Sequence, residues 1–186
     1  MKNVRIPSLI VICYGVILFV SLGASNCVNE PSYSTTPQIE FKGISRYSLG
    51  TGAGVGQQKR DSLVITIGFK DGDGDLGDNL PISAADTARY LQAGGWGSYR
   101  IKTFRLEDNQ FKELPSREDN ALFFPQLGRE GKKEPIEGTI DFRQTYQYTN
   151  SYRNYLIKYR IQLRDRALTS SNEIETDTIT VPFPDR

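Results

Sequence analysis

No histidine occurs among the 186 residues, and cysteine occurs only twice, as Cys13 and Cys27. The first absence removes the usual nucleophile–histidine triads and every histidine-ligated metal site. Tryptophan occurs once, as Trp96. A charge of one sign is missing as well: 23 Lys and Arg stand against 22 Asp and Glu, for a net charge of +1. Without a basic excess there is no electrostatic footprint for nucleic acid, and none is expected as a partner. Apolar runs are short throughout the chain, with one exception in residues 9–22.

That exception organises the N-terminus. Lys2 and Arg5 precede the run LIVICYGVILFVSL, and Gly23, Ala24, Ser25, Asn26 and Cys27 follow it. A positive end, an apolar stretch and small residues form the layout of an export signal. The alternative is a retained membrane anchor, because the run approaches the ~18 residues needed to span a bilayer. Cys13 would leave with a cleaved leader, so Cys27 would be a lone thiol in an oxidising compartment. The segment resembles a lipoprotein signal, in which the Cys after the cut is acylated and anchors the chain to the membrane. Ala24 and Asn26 stand where that pattern has Leu and a small residue. The resemblance implies residues 1–26 as signal peptide, a lipidated Cys27, and an envelope location, expected at the outer membrane. Residues 27–37 are polar with two prolines and read as a tether.

The remaining residues, 38–186, read as a β domain. Residues 62–69 (SLVITIGF) place Leu63, Ile65, Ile67 and Phe69 on one face, the period-two signal of a half-buried strand. Residues 155–163 repeat the pattern with Tyr155, Ile157, Tyr159, Ile161 and Leu163. Further strands are expected at 39–47, 99–106, 111–114, 122–127, 136–142 and 174–183. A short helix is expected at 83–91, capped by Ser83. The glycines at 50, 52, 54 and 56 fit neither dinucleotide nor phosphate-loop spacing, and they lead into a strand rather than a helix. The expected fold is therefore all-β, an antiparallel sandwich of seven or eight strands.

Several segments together resemble uncharacterised small lipoproteins of Bacteroidota-type bacteria with an immunoglobulin-like domain. They are FKDGDGDLGDN, KKEPIEGTIDF and YRIQLRDRALTSSNEIETDTITV. The last also resembles the final strand pair of bacterial immunoglobulin-like domains. Asp165-Arg166-Ala167 and Ser171-Asn172 match that pattern, while Leu168 and Thr169 depart from it. The resemblance implies a fold and a location, not an activity.

The candidate chemistry lies in KDGDGDLGDN. Asp71, Asp73 and Asp75 recur at every second position, which lets carboxylates converge on one hard cation such as Ca²⁺. Leu76 and Ile82 stand where an EF-hand loop has Gly and Glu, so further ligands are needed. Asp78 and Asn79 are adjacent candidates. If residues 62–69 and 155–163 are the second and sixth strands of an immunoglobulin-like sandwich, the loops after them emerge at one end. Asp165 would then join the acidic loop in a weak site of about 10⁻⁴–10⁻³ M. The alternative is a solvated Asp-Gly turn. Tyr90, Trp96 and Tyr99 lie in one Gly-rich connection and are candidates to stack on a glycan or meet a protein partner, or else Trp96 plugs the end of the sandwich. The expected function is a non-enzymatic binding or structural module of the cell envelope. The alternatives are a carbohydrate-binding accessory protein and, more remotely, a glycosidase-like enzyme using paired carboxylates.

Overall fold

The computed structural model describes residues 31–52, 58–115 and 122–184. Residues 1–26, expected as a leader, together with Cys27, Gly54 and Gly56, lie outside the described residues. One compact unit spans Ser32–Arg186. No helix among the described residues is long and apolar enough to cross a membrane.

Alternation of β-branched and aromatic residues generates eight strands among the described residues. They are β1 (Gln38–Leu49), β2 (Arg60–Asp71), β3 (Tyr99–Glu107), β4 (Gln110–Glu113), β5 (Ile136–Gln147), β6 (Tyr152–Leu163), β7 (Ile174–Glu175) and β8 (Ile179–Pro184). A helix, α1 (Ala84–Gln92), lies between β2 and β3. Its N-cap is Ser83, whose Oγ accepts from the Asp86 N–H at 3.0 Å. The strands form two antiparallel sheets. One has the order β1-β2-β5; the other runs β4-β3-β6-β7, with β8 also paired to β6. This is the order of an immunoglobulin-like sandwich, A-B-E facing C′-C-F-G. β2 is the second strand and β6 the sixth.

The core lies between the sheets. Leu63, Ile65, Ile67 and Phe69 of β2 meet Ile157, Tyr159, Ile161 and Leu163 of β6, and all are buried. Tyr155 is only half-buried. Its ring packs edge-on to Phe183, and the Arg105 guanidinium lies 4.5 Å from its centre.

Three strand expectations are corrected. Residues 122–127 form no strand, only bridges from Leu122 to Tyr99 and from Pro125 to Asp78. Pro125 has no N–H to give a ladder, and its neighbours bond to the acidic loop instead. β5 runs five residues past the expected 142, because Gln144 and Tyr146 continue the alternation opposite Leu63 and Asp61. The last strand is split in two. Thr176 interrupts it, and its Oγ1 accepts from the Tyr159 N–H in place of a backbone carbonyl.

Residues 33 and 34, read from the sequence as tether, lie against the end of β2. The Gly72 N–H donates to the Ser34 carbonyl at 2.8 Å, and Lys70 Nζ sits 5.3 Å from the Tyr33 ring centre.

Candidate metal centre

Asp71 is the last residue of β2, so the sheet itself fixes its backbone. The chain then turns through Gly72 and Gly74, and the side chains of Asp71, Asp73 and Asp75 converge. One carboxylate oxygen from each lies within 4.8 Å of the others. The glycines are required by close neighbours. A Cβ at Gly72 would strike the backbone of Tyr33 and Ser34, and one at Gly77 the backbone of Pro125. Gly74 and Gly77 also have positive φ, 67° and 82°, which other residues adopt at a cost. A Cβ at Gly74 would likewise strike the Glu134 carbonyl, so three distant segments wall the loop. Residues 124–127 complete the wall, because the Asp78 N–H donates to the Phe124 carbonyl and the Leu127 N–H to that of Leu76.

Asp165 arrives from the other sheet, two residues beyond β6. Its backbone bridges to Leu76, and the Arg166 N–H donates to the Asp75 carbonyl at 3.3 Å. The Asp165 carboxylate and those of Asp71, Asp73 and Asp75 act on one another electrostatically. Asp78 stands at the flank. Its charged neighbours are Arg166, Arg89 and Asp86, and its Oδ1 accepts from the Tyr90 hydroxyl at 3.2 Å. Asn79 is exposed.

One oxygen of each of several carboxylates is held by a donor while the other is left bare. Asp71 Oδ2 accepts from the Asp75 N–H at 3.0 Å, and Asp165 Oδ1 from the Thr169 N–H at 2.7 Å. Asp71 Oδ1, Asp73 Oδ1, Asp75 Oδ1, Asp78 Oδ2 and Asp165 Oδ2 are all buried without a hydrogen-bond partner. Asp71, Asp78 and Asp165 as whole residues are 0%, 5% and 1% exposed. Among the described residues, no salt bridge reaches any of the five. Burial therefore dominates the protonation of Asp71, Asp75, Asp78 and Asp165. It pushes Asp71 up to about 7, reinforced by Asp73 and Asp75 and opposed by the Asp75 N–H. Burial likewise pushes Asp165 up to about 6, opposed by the Thr169 N–H and reinforced by Asp75 and Asp73. Asp75 and Asp78 are raised for the same first reason, with Arg166 acting against the shift in both. Leaving such oxygens buried and bare costs several kcal/mol unless a proton or a cation meets them.

The three aromatic candidates differ in their surroundings. Tyr90 is fully buried, so it is no stacking platform. Its hydroxyl lies 3.2 Å from both Asp78 Oδ1 and the Asp165 carbonyl. Tyr99 packs into the core against Phe142, with ring centres 4.9 Å apart. It also lines a groove of about 370 Å³ between β3 and β5 with Ile101, Phe124 and Leu127. Trp96 is half-buried, and the guanidinium groups of Arg164 and Arg100 lie 3.7 and 4.9 Å from its ring centre. Arg164 is itself buried and donates through Nη1 to the carbonyls of Tyr90 and Trp96.

Sequence reasoning missed Tyr90 as a donor to the acidic cluster and Arg164 as the residue that holds the Gly-Trp connection. Ser83 marked the helix, but nothing in its pattern showed which way Tyr90 would point. No family model matches this chain, and no curated protein or solved structure matches it either.

Proposed function

We propose that this chain is a non-enzymatic binding or structural module of the cell envelope, carried on a lipid at Cys27, whose β2–β6 end is stapled by Ca²⁺. The observation that carries the reading is the set of buried, unpartnered oxygens on Asp71, Asp73, Asp75 and Asp165, with Asp78 beside them. An all-oxygen, carboxylate-rich set suits Ca²⁺, which takes six to eight oxygens at about 2.3–2.6 Å. Zinc is a poor fit because its protein sites rely on thiolate and imidazole, and the set contains neither. Mg²⁺ is disfavoured by its reluctance to lose water. The cation would offset the mutual repulsion of four carboxylates and join the end of one sheet to the end of the other.

The envelope location rests on the leader and on Cys27, and mass spectrometry of the membrane fraction tests it. A mature N-terminus at lipid-modified Cys27 is expected, and an intact Met1 would replace the lipid with a membrane anchor. The glycan-binding alternative is weakened by the burial of Tyr90. Calorimetric titration tests the cation. Ca²⁺ binding at about 10⁻⁴–10⁻³ M with a rise in melting temperature is expected, and Asp73→Ala should abolish both. No heat and no stabilisation at millimolar Ca²⁺ would remove the site.

A further inference from the structure

We propose that Tyr90 is a positioning residue of the cation site, setting the affinity through Asp165 and Asp78; this rests on the Ca²⁺ reading above. Among the described residues helix α1 interrupts an otherwise β domain, yet Tyr90 is the one residue of its nine that is buried. The helix therefore contributes little apolar packing, and its inward side chain ends at the acidic cluster. The Tyr90 hydroxyl lies 3.2 Å from Asp78 Oδ1 and 3.2 Å from the Asp165 carbonyl oxygen. One proton shared between these acceptors ties the loop after β2 to the turn after β6.

The consequence concerns which oxygens remain for the ion. Donation to Asp78 Oδ1 leaves Oδ2 as the buried, bare oxygen of that residue. Donation to the Asp165 carbonyl fixes the backbone from which the Asp165 carboxylate projects. The Thr169 N–H holds Asp165 Oδ1, so Oδ2 faces the cluster unpartnered. The ring is held from several sides. Phe123 meets it edge-on at 5.1 Å, the Arg89 guanidinium lies 5.3 Å from its centre, and Arg164 holds the Tyr90 carbonyl. Arg89 also donates to the Arg166 carbonyl at 2.8 Å, so the helix grips the same turn at a second point. A donor that orients a ligand from behind typically contributes 10–100-fold to metal affinity.

The test is Tyr90→Phe in the full chain, which keeps the ring and removes the donor. Ca²⁺ affinity is read by calorimetry, and the melting temperature of the ion-free protein is read alongside it. Affinity weaker by about 10–100-fold is expected, beyond any change in the ion-free melt. Wild-type affinity in the variant, even with a lowered melting temperature, makes Tyr90 a structural residue only and overturns the proposal. If the wild type takes up no Ca²⁺, the underlying reading fails with it, and the two failures are distinguishable. Should the variant not fold, wild-type protein labelled with 3-fluorotyrosine gives the answer by fluorine resonance. A buried tyrosine signal that moves in step with Ca²⁺ saturation supports the proposal, and tyrosine signals that all stay in place overturn it.

Discussion

Gly72 shows what a single residue does in this site. It has no positive φ to explain it; space does. The Tyr33 and Ser34 backbone occupies the place a Cβ would take, and the Gly72 N–H bonds to the Ser34 carbonyl. Gly72→Ala is therefore expected to push residues 33–34 off the loop and destabilise the domain by about 1–3 kcal/mol, the usual cost of overpacking. Denaturant unfolding reads this, and an unchanged midpoint would show that the contact yields freely. The convergence of Asp71, Asp73 and Asp75 was legible because alternate residues of a turning chain face the same side. The identity of the bare oxygens was not. It depends on donors from Thr169 and Tyr90, far away in the chain, and on burial that no local pattern encodes. Asn79 was a reasonable candidate by adjacency, but the chain turns outward after Asp78 and leaves it in solvent.

At the scale of elements, period-two patterns located β2 and β6 because each strand is buried on one face only. Such a pattern also fixes register, since a slip of one residue would turn every core side chain to solvent. Ile161 pairs with Ile101 and Ile174 and is fully buried. Ile161→Ala is expected to cost about 2–5 kcal/mol. Thr66→Ala, on the opposite face of β2, removes only the hydrogen bond to Asp141 at 2.6 Å and is expected to cost on the order of 1 kcal/mol. Thermal unfolding of the two variants checks the register, and equal losses would contradict it. Elsewhere the elements were less legible. Residues 122–127 are apolar except Gln126, but the backbone groups of residues 124, 126 and 127 serve the acidic loop rather than a ladder. The break between β7 and β8 arises from one Thr176 side chain substituting for a carbonyl.

For the whole molecule, the acidic cluster is where the two sheets are joined at one end. Asp71 closes β2 in one sheet, and Asp165 follows β6 in the other. Without a cation, this end is a store of unfavourable charge, and the sign of its pH dependence follows. Burial raises Asp71 to about 7 and Asp165 to about 6, above the ordinary 3.8. Between about pH 4 and pH 7 these two carboxyls hold more protons in the folded chain than in the unfolded one, so their contribution to stability falls as pH rises. The ion-free protein is expected to melt higher near pH 5 than near pH 8. Saturating Ca²⁺ should reverse this order, because protons and the cation compete for the same oxygens. An ion-free melting temperature that rises over this range would contradict the assigned burial.

A crystal structure grown with Ca²⁺ decides whether these carboxylates are ligands or a solvated turn. One ion is expected at about 2.3–2.6 Å from Oδ1 of Asp71, Asp73 and Asp75 and Oδ2 of Asp165, with Asp78 Oδ2 beside them and the Tyr90 hydroxyl behind. An ion-free cluster at millimolar Ca²⁺, with Arg166 or water against those oxygens, would contradict it.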